Sequence, residues 1–264
     1  MEDYIRILQE IRSKNPLILQ ITNSVTENDC ANMTICFGAS PVMSADVEDA
    51  RELAAVADAV VLNIGTLTDS QVEIMRSCAS VAQKRGIPVV LDPVGAGASL
   101  KRSQTAGEFM REYGVSVVKG NAGEILALAG DQGKVRGVDS ISENATDSAV
   151  KLAKELHCVI VVSGEKDIIT DGTRIVSVSN GVPLMGKISG TGCMSAPCCA
   201  AACSVANPFD ACVFAMSLLG IAGEVAETRS NGPGTFKPAF FDAVFAMDAD
   251  TFRKHARISS EVLV

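Results

Sequence analysis

Residues 59–92 read Ala59-Val-Val-Leu-Asn-Ile64, Gly65-Thr-Leu-Thr68, Asp69–Arg85 and Gly86-Ile-Pro88-Val-Val-Leu91-Asp92. The first and last pieces, Ala59–Ile64 and Pro88–Leu91, are apolar runs of strand length without polar alternation. The segment between them, Ser70–Lys84, has helical spacing. A strand that is apolar throughout needs cover on both faces, and a helix leading to the next such strand is a parallel crossover. Working outward, the alternation repeats. Further strands are read at Leu17–Ile21, Ser116–Val118 and Cys158–Val162, and helices at Val25–Phe37, Val47–Ala57, Ser103–Tyr113, Ala122–Ala129 and Asn144–Leu156. Beyond Val162 the texture changes. Asp167–Thr170 and Thr173–Ser179, split by Asp171-Gly172, read as a hairpin. From Thr191 the chain reads as mainly helical, with Ala196, Ala200–Ala202, Ala211 and Ala215 permitting close packing. Without a linker, composition shift or repeat, one α/β domain over residues 1–264 is expected, its mostly parallel sheet covered by helices on both faces.

Composition narrows the partners. The 264 residues carry 23 basic and 31 acidic side chains, a net charge of −8, with 47% hydrophobic and 20% charged residues. That is the profile of a folded globular chain. With no Lys/Arg cluster and only nine Phe, two Tyr and no Trp, neither a phosphate-tracking surface nor base-stacking aromatics point to nucleic acid. The acidic start Met1-Glu2-Asp3 lacks the basic region of a secretory signal. The uncharged run Ile188–Phe209 is rich in small and polar residues, and Ala211–Gly223 is short for a span, so a soluble cytoplasmic protein without membrane contact is expected. Nine cysteines scattered through such a chain imply reduced thiols. Cys193, Cys198, Cys199 and Cys203 lack any Cys-x-x-Cys pair, and small-residue packing accounts for them better than a metal cluster.

In open parallel sheets, ligands bind beyond the carboxyl ends of the strands. Here those positions carry Asn23, Gly65-Thr66, Asp92, Lys119-Gly120-Asn121 and Ser163-Gly164. Gly181-Val-Pro-Leu-Met-Gly186-Lys187-Ile188 approaches a P-loop, but Ile188 stands where a hydroxyl must meet magnesium. The stronger motif is Ser189-Gly190-Thr191-Gly192-Cys193. Two glycines can expose the amides of Gly190, Thr191 and Gly192 at a helix start as an anion hole, with Cys193 in the first turn, where a thiolate is favoured. A plain packing loop with Cys193 as a small hydrophobe reads equally well. Asp92 before Pro93-Val94-Gly95-Ala96-Gly97 suits a metal–phosphate site or a turn cap. Asn121 and Glu124, three apart, suit the same site or a capping box.

Taken together, these residues resemble the hydroxyethylthiazole kinase family of the ribokinase-like superfamily. The resemblance runs through Ile21-Thr-Asn-Ser-Val-Thr26, Ala31-Asn32, Gly38-Ala-Ser-Pro-Val-Met43, Asn63-Ile-Gly-Thr66 and Asp92-Pro-Val-Gly-Ala-Gly-Ala-Ser99. It continues through Lys119-Gly-Asn121 to Glu124, Gly137-Val-Asp-Ser140, Ser163-Gly-Glu165 to Asp167, Ser189–Cys193 and Gly232-Pro-Gly-Thr-Phe236, and so covers nearly the whole chain. It implies a ribokinase-like three-layer fold and ATP-dependent phosphorylation of the primary hydroxyl of 4-methyl-5-(2-hydroxyethyl)thiazole in thiamine salvage. It further implies Cys193 as general base, Met43 and Gly190 on the thiazole with Asn23 nearby, and Lys119, Ser163 and Asn121 on ATP. Asp92 and Glu124 would hold Mg2+, and a homotrimer would carry its pockets at subunit interfaces. Lys119 stands where the family has Arg, and Ser189 where Thr is commoner. Hydroxymethylpyrimidine kinase, pyridoxal kinase and nicotinamide-hydrate repair are the nearest rivals, and Cys193 in place of Asp speaks against each. A catalytically silent nucleotide-binding regulator is the rival of another class.

Overall fold

The computed structural model describes residues 1–131 and 138–262. The opening stretch folds as read: β3 (Ala59–Asn63) runs into α4 (Asp69–Arg85) and returns as β4 (Val89–Asp92). Thr68 starts α4 by accepting the Gln71 N–H at 3.1 Å, and Gly86, at φ 68°, ends it. Around this unit lie α1 (Glu2–Lys14), β1 (Leu17–Ile21), α2 (Glu27–Phe37), β2 (Ser40–Met43) and α3 (Val47–Ala54). After it come α5 (Leu100–Glu112), β5 (Val117–Asn121), α6 (Ala122–Leu128), α7 (Val138–Leu156) and β6 (Val159–Ser163). The hairpin β7 (Asp167–Thr170) and β8 (Arg174–Val178) turns at Asp171, whose carboxylate accepts the N–H groups of Thr173 and Arg174. Then follow α8 (Thr191–Cys203), α9 (Pro208–Thr228), α10 (Pro233–Phe245), α11 (Ala249–His255) and β9 (Ile258–Val262).

Among the described residues the strands form one nine-stranded sheet, in the order β2-β1-β3-β4-β5-β6-β7-β8-β9. β1 to β6 are mutually parallel and β7 to β9 are antiparallel additions. Because strand side chains alternate, β3 sends Ala59 and Val61 to one face and Val60 and Leu62 to the other. The first face packs α1, α2 and α8 to α11, and the second packs α3 to α7. Both faces are thus covered, as the unbroken apolar strands require.

Three elements depart from the sequence reading. Ile5, Leu8 and Ile11 are buried at helical spacing and make α1 a core helix. β2 contains Pro41 and is half-buried along its length, consistent with an edge strand that shows no sequence period. β9 joins as an outer strand beside β8. α9 is long and apolar enough to cross a membrane, which the separate uncharged runs concealed, but 83% of its apolar window is buried inside the fold. Gly181–Ile188 contains a short 3-10 turn, Pro183–Lys187, rather than a strand-to-helix phosphate loop. Cys198, Cys199, Cys203 and Cys212 are buried in the layer formed by α8 and α9. Of the block Gly137–Ser140, Gly137 lies outside the described residues.

The chain runs from β1 outward to β2 and then returns across β1 to β3. The carboxyl ends of β1 and β3 therefore flank the point where strand order reverses, the place where such sheets bind ligands.

Candidate active site

At that rim, polar side chains replace the apolar ones below them. Asn23 follows β1, Asn63 ends β3, Asp92 ends β4, and Lys119 is the central residue of β5; all four are at most 3% exposed. They are linked. Asn63 Nδ2 donates to Asp92 Oδ2 at 2.8 Å. Asn23 Nδ2 donates to Asn63 Oδ1 at 2.9 Å and to Cys193 Sγ at 3.3 Å. The structure joins Asn23, Asp92 and Cys193 through Asn63, to which the sequence reading gave no site role. Its signal was visible, since an amide interrupts a run otherwise wholly apolar.

α8 starts at Gly190 in the left-handed region, φ 92°. A Cβ there would lie 2.5 Å from Thr26 Cγ2, so the close approach of loop to α2 demands glycine. The helix start leaves the amides of Thr191, Gly192 and Cys193 without helical acceptors, on the side where the helix dipole favours an anion. Thr191 Oγ1 instead donates back to the Met185 carbonyl at 2.9 Å, which pins the loop. Cys193 is half-buried in this first turn.

Lys119 Nζ donates to the Gly192 carbonyl at 2.8 Å, bringing positive charge beneath the loop rather than out to solvent. Burial pulls its ammonium pKa down, but the charges of Asp92, Cys193, Cys199 and Glu124 outweigh burial and leave it raised. Burial pushes the Asp92 carboxyl up to about 6; the Lys119 charge and the Asn63 N–H oppose that rise, and Glu124 adds to it. Glu124 and Asn121 form a capping box at the start of α6: Asn121 Oδ1 accepts the Glu124 N–H, and Glu124 Oε2 accepts the Asn121 N–H. Glu124 Oε1 also accepts the Gly95 N–H at 2.8 Å, tying the glycine turn after β4 to α6.

Both Glu124 carboxylate oxygens thus accept backbone N–H groups, and the Asn121 side chain is engaged by the cap. Ser163, ending β6, donates to the Gly120 carbonyl at 3.3 Å. Asp167, to which the sequence reading gave no site role, is buried at the start of β7 and accepts the Gly164 N–H at 3.0 Å. Burial raises its carboxyl to about 6, against that hydrogen bond and the Lys119 charge. Met43, at the end of the edge strand β2, is half-buried against the α2–α8 side of the core.

The donor set suits magnesium. Asp92 and Glu124 offer hard carboxylate oxygens, close enough that the Glu124 charge raises the Asp92 pKa. Among the described residues Asp92 Oδ1 receives no hydrogen bond.

The model of the hydroxyethylthiazole kinase family matches residues 8–250. The chain belongs to this family. A hydroxyethylthiazole kinase of Methanocorpusculum labreanum is 58% identical over 261 residues, 98% of this chain and 99% of its own. That of Thermoanaerobacter pseudethanolicus is 46% identical over 260 residues, 97% and 98%. The solved hydroxyethylthiazole kinase structure from Pyrococcus horikoshii OT3 superposes with a TM-score of 0.93 at 37% identity, covering 99% of this chain and 100% of that one. The fold reaches wider: a Staphylococcus aureus pyridoxal kinase in complex with pyridoxal matches at TM-score 0.68 and 13% identity, over 94% and 99% of the two chains. In this hydroxyethylthiazole kinase family member, the fold is therefore ribokinase-like.

Proposed function

We propose that this chain, as one kinase domain spanning residues 1–264, transfers the ATP γ-phosphoryl group to the primary hydroxyl of 4-methyl-5-(2-hydroxyethyl)thiazole for thiamine salvage in the cytoplasm. The observation that carries the reading is the placement of Cys193 in the first turn of α8, held by Asn23 on the rim that also bears Asp92 and Glu124. Phosphoryl transfer asks chiefly for positioning and for neutralisation of charge on the transferred oxygens. The free amides of the Gly190–Cys193 turn, with Lys119 beneath them, supply fixed positive potential there. Cys193 as thiolate takes the proton of the thiazole alcohol while that oxygen attacks the γ-phosphorus and ADP leaves.

Magnesium, when bound, neutralises phosphate charge, and Asp92 and Glu124 are the residues that would hold it. Ser163 and Asn121, at the ends of β6 and β5, lie where ATP would approach, and Lys119 adds charge from below. Met43 and Gly190 would line the thiazole, with Met43 offering a polarizable wall to a sulfur heterocycle.

The homotrimer with interfacial pockets is part of this proposal. Its support is that Met43 sits on the outermost strand while Val25 and Ile35 on the nearby α2 side are exposed apolar residues. Two experiments test the reading. A coupled ADP-release assay should show turnover with the thiazole alcohol and little with hydroxymethylpyrimidine or pyridoxal; the opposite preference would displace the substrate, and ATP binding without turnover would favour a regulator. Mixing an inactive Met43 variant with an inactive Cys193 variant should restore activity if pockets are shared, whereas a fully active monomer by sedimentation would remove the trimer.

A further inference from the structure

Two side-chain amides bridge the carboxyl ends of β1, β3 and β4, neighbours in the sheet, and backbone donors settle which way each amide points. The Thr26 N–H reaches Asn23 Oδ1 at 3.1 Å, and the Gly65 N–H reaches Asn63 Oδ1 at 3.0 Å. A backbone N–H only donates, so oxygen faces it in both cases. Each Nδ2 is thereby aimed along the rim. Asn63 donates to Asp92 Oδ2, and Asn23 donates to Asn63 Oδ1 and to Cys193 Sγ. The run has a fixed polarity, with an N–H delivered to an acceptor at either end. Cys193 Sγ must act as the acceptor, which a thiolate does far better than a thiol. Gly65 belongs to the same arrangement: a Cβ there would lie 2.8 Å from Asn23 Cβ, so the backbone approaches as closely as glycine allows.

We propose that Asn63 is a positioning residue for phosphoryl transfer. By accepting from Asn23 while Gly65 locks its own orientation, it holds the Asn23 N–H on Cys193 Sγ and favours the thiolate that takes the alcohol proton. The proposal rests on Cys193 as the base. The other groups around the sulfur are Lys119 from β5, Cys30 from α2 and the amides at the start of α8, with Asp92 on β4, Glu124 on α6 and Cys199 acting through Lys119. A change at Asn63 leaves Lys119, Cys30 and the α8 amides in place but removes the N–H that Asp92 Oδ2 accepts, so a second route to the sulfur, from Asp92 through Lys119, runs beside the one through Asn23. A purely structural Asn63 would stabilise the strand ends without touching the sulfur's titration.

The test is the pH dependence of iodoacetamide alkylation at Cys193, followed by mass spectrometry of its peptide in the full-length protein. Apart from Cys36, the other cysteines are buried, so the Cys193 signal is separable. Asn63→Ala should raise the midpoint by about one pH unit, roughly a tenfold slower reaction below both midpoints, as loss of a hydrogen bond to a charged group implies. Asn23→Ala should raise it at least as much. The double variant should shift by less than the sum of the two, because the part of the Asn63 effect that passes through the Asn23 amide is already lost in Asn23→Ala, while the Asp92 hydrogen bond is lost with Asn63 in either background. A folded Asn63→Ala protein with the wild-type midpoint would overturn the proposal, as would a double variant whose shift is the sum of the two. If Asn63→Ala does not fold, Asn63→Ser, which leaves a smaller void and one hydroxyl, carries the same readout and should shift in the same direction. The functional reading fails separately: a protein without turnover on thiazole alcohol could still show the midpoint shift.

Discussion

At the amino-terminal rim of the parallel strands, polar side chains serve the backbone. Asp58, just before β3, accepts the Leu17 N–H at 2.8 Å, and Ser116 Oγ, before β5, accepts the Val89 N–H at 3.3 Å. Arg85 donates to the carbonyls of Ala54 and Ala57 at the end of α3. At the carboxyl rim, Asn23, Asn63, Asp92 and Lys119 are buried and engage one another, the glycine turns and Cys193. Burying charge is costly unless it is paired, so the second rim sacrifices stability that the first one gains. The contrast separates positions whose loss should cost turnover from those whose loss should cost only stability.

The sharpest break in that contrast should come at Asp92. Asp92→Asn should lower turnover by about 10²–10³-fold, the usual scale for removing one electrostatic group at a transition state, and raise the magnesium requirement. Glu124→Gln should act in the same direction with the fold intact, since Gln also serves in a capping box. Steady-state kinetics against magnesium concentration checks both; unchanged dependence in the two variants would show that this rim does not hold the metal.

Next in size is Asp167, buried near Lys119 and held at about 6. An acid whose folded pKa is raised favours the folded state while protonated, so its contribution is lost as pH rises from about 4 to about 6. Asp167→Asn lacks this loss. Relative to the variant, the wild type should lose about 2–3 kcal/mol across that window and then run parallel to it. Urea unfolding at pH 4, 5, 6 and 7 measures the difference, and a constant gap would mean that Asp167 titrates normally.

How much of this was legible in the sequence follows the same division. The buried parallel strands announced themselves through uninterrupted apolar runs, and the hairpin through Asp171-Gly172. α1 carried its signal in Ile5, Leu8 and Ile11, but β2 and β9 did not, because an outer strand half-open to solvent needs no periodic pattern. The strand-end rule gathered Asn23, Asp92 and Lys119, and the glycine-loop motif Ser189–Cys193 supplied Cys193. Asn63 escaped the rule because the strand was read through to Ile64, which hid the amide inside the run instead of at its end. Which neighbour each polar group bonds depends on sheet order, and the β2-β1-β3 reversal is a tertiary fact that no local pattern encodes.

The smallest effect should lie at the opposite rim. Asp58→Ala should cost about 1 kcal/mol through the lost Leu17 bond and leave the turnover number at its wild-type value. Chemical denaturation beside a kinetic assay checks it; a large fall in turnover would dissolve the distinction between the rims.

The proposed role of Cys193, taking the alcohol proton, is measured most directly by turnover against pH for the wild type, Cys193→Ala and Cys193→Asp. Loss of the base in the Ala form should cost about 10²–10⁴-fold. Asp at the same place is ionised at neutral pH and can take the proton, so the Asp form should keep or exceed wild-type activity, with its optimum moved to lower pH. An active Ala form beside a dead Asp form would contradict the account, leaving Cys193 as a packing residue.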